Sequence, residues 1–183
     1  EGNLLKSETY SRGKRNGTFT DYFTNGKTAF VGAYLNDQPE GEWKRWYDNG
    51  KQASFQNYKN GLAVGTWQKW YESGTLQMTE YYLAGKQEGE QHTFWENGNR
   101  QSDISMSGSR KNGTTTSYNR EGKLVSKTEF VNDVQHGIMR VWDGETLVRE
   151  AEYRNGLLNG YLHRWNTKGD TLELKEPKPT QHF

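Results

Sequence analysis

Carboxylates and histidines are the side chains of this 183-residue sequence that could do chemistry. Asp48, Glu72 and Glu96 recur 24 residues apart. If each interval is one hairpin of a sheet, these carboxylates lie about 10 Å apart. A retaining glycosidase needs carboxyl groups about 5–5.5 Å apart, and an inverting one about 6.5–9.5 Å. The spacing therefore disfavours glycoside hydrolysis, and we expect these acids to be solvated at turns.

The four histidines do not form a ligand pattern either. His92 and His163 occupy the same register three repeats apart, which corresponds to about 30 Å in a sheet. His136 and His182 stand at unrelated positions, and no group has the spacing of metal ligands. A Ser-His-Asp set, a phosphate-binding glycine loop and a dinucleotide fingerprint are also missing from the sequence. We therefore predict a protein that is not an enzyme and holds no cofactor or metal.

An internal repeat organises the chain. Glycines recur every 24 residues, and the last follows after 23, as if one residue were deleted near Asp143-Gly144. These glycines are Gly17, Gly41, Gly65, Gly89, Gly113, Gly137 and Gly160. Five residues after each of them stands an aromatic residue: Tyr22, Trp46, Trp70, Phe94, Tyr118, Trp142 and Trp165. Such a fixed period predicts one structural unit repeated along the chain.

Two turn signals divide each unit. One is typified by Asn25-Gly26 and Asn49-Gly50, the other by Asn60-Gly61 and Asn155-Gly156. Asn-Gly pairs favour the positive φ angles of tight hairpin turns, so consecutive strands must run antiparallel. We predict an all-β fold, an elongated single antiparallel meander sheet of about seven 24-residue β-hairpin repeats with about fourteen strands. We also expect an aromatic ring from a neighbouring strand to cover each repeated glycine.

The repeat sets the expected domain boundaries. A single array spans residues 1–174, and a flexible tail follows at 175–183. The array has a half repeat at 1–16, full repeats that begin at residues 17, 41, 65, 89, 113 and 137, and a half repeat at 160–174. With 31% apolar and 14% aromatic residues and a mean hydropathy of −1.15, the fold must depend on tryptophan and tyrosine rather than on a thick aliphatic core.

The charge balance limits the kinds of partner that we expect. The net charge is +1, and both nucleic acids and anionic membranes call for a clear basic excess. The run Trp43-Lys44-Arg45-Trp46 is typical of single-stranded nucleic-acid platforms, but Glu40 and Glu42 offset it. We therefore treat these charges as a solvated face. An apolar run of membrane-spanning length is absent from the sequence, so we do not expect direct membrane insertion.

The unit Gly-x-Trp-x-x-Trp-Tyr-x-Asn-Gly-Lys at Gly41 to Lys51, echoed at Gly17 to Lys27 and Gly65 to Thr75, resembles the MORN-repeat-variant family of bacterial proteins. The resemblance implies stacked hairpins in one sheet, with a role in protein interaction or peripheral membrane association. An antitoxin-like label carried by some relatives is a further implication. Because the cysteine-free sequence starts at Glu1 and looks processed, we favour the bacterial cell envelope over the cytoplasm.

Ring-bearing residues of the middle repeats are the best binding candidates. Tyr47, Tyr71 and Trp95 form a column that is lost beyond Asn119, and we expect them to be exposed. The full candidate set is Trp43, Trp46, Tyr47, Trp67, Trp70, Tyr71, Phe94 and Trp95. We predict a noncatalytic scaffold that binds a protein partner within a larger bacterial assembly. The alternatives are a carbohydrate or envelope-polymer binder and an antitoxin-like or membrane-surface protein.

Overall fold

The computed structural model describes residues 5–175, and all regular structure in this range is β-strand. The strands form one antiparallel meander sheet, as the repeat predicts. They are β1 Lys6–Ser11, β2 Lys14–Tyr22, β3 Thr28–Leu35, β4 Gln38–Trp46, β5 Gln52–Lys59, β6 Leu62–Ala63, β7 Gly65–Trp70, β8 Leu76–Leu83, β9 Lys86–Gln87, β10 Gly89–Phe94, β11 Arg100–Ser107, β12 Arg110–Tyr118, β13 Leu124–Val131, β14 Val134–Asp143, β15 Thr146–Arg154, β16 Leu157–Trp165 and β17 Thr171–Lys175.

The chain divides into two compact units. Unit 1 comprises residues 5–88 with Glu96–Gly98, and unit 2 comprises Gly89–Trp95 with residues 99–175. Lys175 closes the last strand, so the strand extends one residue into the expected tail, and the rest of that tail lies outside the described residues. The described residues include no helix with the length and apolar character that a membrane span requires.

Two kinds of turn alternate along the meander. The tight turns have positive φ at both central residues, the geometry that matches the twist of paired strands. They are Arg12-Gly13, Asn36-Asp37, Asn60-Gly61, Ala84-Gly85, Gly108-Ser109, Asn132-Asp133 and Asn155-Gly156. The longer loops are typified by Tyr47 to Lys51, where the amide of Tyr47 donates to the Lys51 carbonyl oxygen at 2.9 Å. The sixth repeat closes more tightly, since Asp143 pairs directly with Thr146, and this confirms the deletion read from the sequence.

The repeated glycines serve β-bulges. Gly41 and Gly65 both have φ near +68°, and a Cβ at either position would meet nothing within 4 Å. The expected ring cover is therefore wrong for these glycines, because the left-handed backbone of the bulge is what excludes other residues. The bulges at Gly65 and Gly89 also split β6 from β7 and β9 from β10, and these two splits account for most of the difference between the seventeen described strands and the fourteen or so expected.

The sheet has almost no buried core. Among the described residues, the buried apolar side chains are Phe30, Ala151 and Leu162, with 3%, 0% and 8% of their surface exposed. Most other inward positions are half-buried, because one layer of strands has no second layer to cover it. Side chains on neighbouring strands must therefore cover one another, and this requirement shapes the candidate site.

Candidate functional site

Seven aromatic rings form a continuous row on one face of unit 1, and we call it the ring row. Its members are Phe19, Phe30, Tyr34, Trp43, Tyr58, Trp67 and Tyr82. Successive ring centroids lie 4.4–6.1 Å apart, mostly edge-to-face or tilted. These distances and angles are the preferred ones for aromatic pairs, so the rings stabilise each other as well as the sheet. All seven except Phe30 are half-buried, so the row still presents apolar surface to solvent.

The indole N–H groups of the ring row form hydrogen bonds with backbone carbonyl oxygens of the preceding strand. Trp43 Nε1 donates to the Ala33 carbonyl oxygen and Trp67 Nε1 to that of Asn57, both at 3.1 Å. The register shifts beside Ala33, so the indole reaches a carbonyl at the irregular point of the ladder. Trp43 also lies over Gly32, where an added Cβ would be 2.9 Å from the ring. Ring cover of a glycine thus does occur, at a position outside the 24-residue column.

Cations lie against the rings at one end of the row. The Arg15 guanidinium carbon is 4.0 Å from the centroid of Tyr34, and that of Arg45 is 4.5 Å from the centroid of Phe30. Lys6 Nζ lies 4.9 Å from the centroid of Phe19. The charges around Trp43-Lys44-Arg45-Trp46 were predicted to be a solvated face, and these cation–π contacts were not predicted. Their only sequence signal was the interleaving of Arg45 with aromatic residues.

The candidate residues fall on different surfaces. Trp43 and Trp67 belong to the ring row, whereas Trp46 and Trp70 follow three residues later and point to the opposite face of the sheet. In unit 2, Phe94 packs under Arg100, whose guanidinium carbon is 4.7 Å from the ring centroid. The structure therefore does not gather the predicted set into one surface.

Tyr47, Tyr71 and Trp95 are half-buried, not exposed as the sequence reading expected. In unit 1, the Tyr47 hydroxyl donates to the Trp70 carbonyl oxygen at 2.7 Å. In unit 2, Trp95 Nε1 donates to the Tyr118 carbonyl oxygen at 3.1 Å. Each of these two side chains spans to a carbonyl oxygen of the next repeat within its unit. Their polar groups thus help to join successive repeats.

Burial changes the pKa of one acid on the ring-row face, Glu80. It raises the pKa of Glu80 above the ordinary range, outweighing the hydrogen bond from Tyr82 and the charge of Lys69. The Tyr82 hydroxyl donates to Oε2 of Glu80 at 3.4 Å, and Gln87 Nε2 donates to Oε1 at 3.3 Å. Burial likewise raises the pKa of Tyr82 itself. Glu80 is thus a poorly solvated acid on the ring-row face.

Unit 2 carries a polar network of its own around Asp103. His92 Nδ1 lies 2.6 Å from Asp103 Oδ1, and Arg100 lies 3.2 Å from the same oxygen. The Tyr118 hydroxyl donates to the second carboxylate oxygen at 3.2 Å. The sequence did not predict this cluster, because its members meet only through strand register. No group of three or more histidine or acidic residues in residues 5–175 could hold a metal ion.

The carboxylates considered for catalysis lie where they were expected. Asp48, Glu72 and Glu96 are all exposed at loops. The strongest organised feature of the described residues is therefore the ring row.

Fold and repeat geometry together define a β-hairpin repeat protein. A family model described as MORN repeat variant matches residues 39–60, 63–84 and 111–132. Three hairpin repeats thus match the MORN variant, two of them in unit 1 and one in unit 2. The match confirms the resemblance read from the repeat unit. No curated protein matches the chain.

Proposed function

We propose that this chain is a noncatalytic scaffold that binds a protein partner through the ring-row face of unit 1. The observation that carries the proposal is the unbroken contact of seven rings on a face that no second layer covers. Preformed aromatic surface is typical of protein interfaces, where tyrosine and tryptophan dominate the binding free energy. MORN repeats also commonly act as interaction modules.

Charged side chains at the border of the ring row support a protein partner. Arg45 and Lys69 stand on the same face and are exposed. An apolar centre with a charged border is the usual anatomy of a protein interface. We propose that the partner belongs to a larger bacterial assembly.

Carbohydrate binding would use the same rings and is less well supported. Stacking of a sugar needs an uncovered ring face, and cations already lie against Phe19, Phe30 and Tyr34. Trp67 and Tyr82 lie against each other with centroids 4.4 Å apart, which leaves less ring surface for a sugar. The geometry favours side-chain packing from a protein over stacking by a sugar ring.

Site-specific photo-crosslinking tests the proposal. A benzophenone amino acid at Lys69 would report on the ring-row face, and one at Thr66 on the opposite face. Both positions are exposed and lie in β7, so they form a matched pair. We expect a protein adduct, identified by mass spectrometry in native cells, from position 69 and not from position 66. Equal adducts from both positions, or glycan adducts alone, would contradict the proposal.

A further inference from the structure

Unit 2 contains a concave site that the proposed scaffold function does not use. A cavity of about 440 Å³ lies over β14, β15 and β16. Its lining residues are Val141, Val148, Arg149, Leu162, Arg164 and Trp165. Most of this lining is apolar, and two guanidinium groups supply its charge. A cavity with apolar walls and a few charged groups is the common form of a small-ligand site.

The two arginines face each other without an intervening acid. Arg149 and Arg164 are direct cross-strand partners, and like charges in that relation destabilise a sheet. Arg140, also in unit 2, has the usual arrangement, since it faces Glu150 and its Nε lies 2.5 Å from the carboxylate. Arg149 thus has no acid as a direct cross-strand partner, whereas Arg164 also faces Glu173 on β17.

Neighbouring groups neutralise this pair only in part. A terminal nitrogen of Arg149 donates to the Tyr153 hydroxyl at 3.0 Å, and its Nε is buried without an acceptor in the described part of the chain. Arg164 lies 3.5 Å from Glu173, but Lys175 lies 2.7 Å from that same carboxylate. One acid therefore serves two cations, and a positive excess remains at the cavity.

We propose that this cavity binds a small organic anion with a carboxylate on a flat apolar body. The planar forks of Arg149 and Arg164 suit a carboxylate, which would relieve their mutual repulsion. Val141, Leu162 and the Trp165 indole would contact the apolar body. The site rests on unit 2 residues alone, so it stands or falls independently of the ring-row proposal.

An NMR titration of the whole chain with 2-naphthoate tests the site. We expect saturable shifts at the Val141 and Leu162 amides and at the Trp165 indole N–H, with a dissociation constant of about 1 mM, usual for a ligand of this size. 2-Naphthylmethylammonium, with the same ring and the opposite charge, should not bind. Inorganic phosphate, an anion without an apolar body, should bind at least tenfold more weakly.

Arginine variants test whether naphthoate binding depends on the charges of Arg149 and Arg164. Arg149→Gln and Arg164→Gln should each weaken naphthoate binding at least tenfold. Arg154→Gln, the same charge change at an exposed position of unit 2, should leave it unchanged. If Arg149→Gln does not give a native amide spectrum, the test rests on Arg164→Gln alone, because Arg164 is exposed. Absent or non-saturable naphthoate binding, equal binding of the ammonium compound, or equal weakening by Arg154→Gln would overturn the proposal.

Discussion

Side chains that join one repeat to the next account for much of the local order. Tyr47 spans to the Trp70 carbonyl, and Asn49 Nδ2 donates to the Glu72 carbonyl oxygen at 3.1 Å. Both donors lie in the longer loop that follows β4. The Glu72 acceptor lies in the next longer loop of unit 1, and the Trp70 acceptor is the residue just before that loop. These bonds give backbone carbonyl oxygens of the next repeat a side-chain donor. A ring that recurs in successive repeats can therefore be structural even where it is only half-buried.

Removing the Tyr47 hydroxyl should cost stability in proportion to one hydrogen bond. We expect Tyr47→Phe to lower the free energy of unfolding by about 1 kcal/mol, because the Trp70 carbonyl loses its partner. Tyr81→Phe is the matched control, since Tyr81 is 46% exposed. Urea denaturation followed by circular dichroism would measure both. A Tyr47→Phe variant as stable as the control would show that the bond does not contribute.

Glu80 should give unit 1 a pH-dependent stability. Its pKa is raised in the folded state by burial, so the folded protein holds this proton more tightly than the unfolded chain does. Stability should therefore fall as pH rises from about 4.5 through the raised pKa. We expect Glu80→Gln to be more stable than the parent at pH 7 and to lose that advantage at pH 4.

Chemical denaturation at both pH values checks this prediction. Glu72→Gln, at an exposed loop position, should change stability little at either pH. If Glu80→Gln gains nothing at pH 7 relative to Glu72→Gln, burial does not penalise the Glu80 carboxylate.

Residue types alone could not predict which rings meet. The sequence placed Trp43, Trp46 and Tyr47 in one candidate patch, but alternation along β4 separates Trp43 from Trp46, and the loop turns Tyr47 toward the next repeat. The contact of His92 with Asp103 also depends on strand register, which a single sequence specifies only after the bulges are known. The period and the positions of the turns, by contrast, followed from the spacing of the glycines and Asn-Gly pairs, although Asn49-Gly50 lies in a longer loop and not in the tight turn that was predicted.

At the scale of the element, each hairpin combines a tight turn, a bulge and a longer loop. The bulge glycines adopt positive φ, and at Gly65 the space beside Cα is open. Backbone conformation therefore explains the glycine column in unit 1 better than packing does. The sequence predicted where these glycines recur, but not their role. The mark that a bulge leaves in a sequence is an isolated glycine in a strand, and such a glycine does not by itself identify a bulge.

Substitution of Gly65 should separate backbone strain from steric overlap. We expect Gly65→Ala to lower the free energy of unfolding by about 1–2 kcal/mol, the usual cost of a left-handed conformation for an L-residue. Gly65→Asn should cost less, because asparagine tolerates this region better. Denaturant melts of the two variants would rank them. A larger loss for asparagine than for alanine would mean that side-chain volume, not φ, is limiting.

At the scale of the whole molecule, stability comes from nearest-neighbour contacts and not from a common core. Each strand pairs with the strands beside it, and few side chains in residues 5–175 are fully buried. The composition predicted this thin architecture from its scarcity of aliphatic residues. Composition alone does not tell where the aromatic row stops, but the sequence does, because the positions equivalent to Trp67 become Gln91 and Thr115.

A core truncation in unit 2 should therefore act locally. Leu162 is 8% exposed, and we expect Leu162→Ala to destabilise by about 2 kcal/mol, the lower end for buried leucine because the site is only one layer deep. Native-state hydrogen exchange should become faster in β14, β15 and β16 and stay unchanged in β3, β4 and β5. Uniform acceleration over all these strands would indicate a single cooperative unit instead.

The bulge glycines also indicate which positions of such a chain can be substituted. All seven repeats keep a glycine at the bulge with positive φ, while the position two residues later varies from Trp43 to Gln91, Thr115 and Met139. Handedness of the main chain is thus the stricter requirement, and side-chain identity on the sheet face is the looser one. One repeat can acquire a new recognition surface by ordinary point mutation without disturbing the pairing of its neighbours.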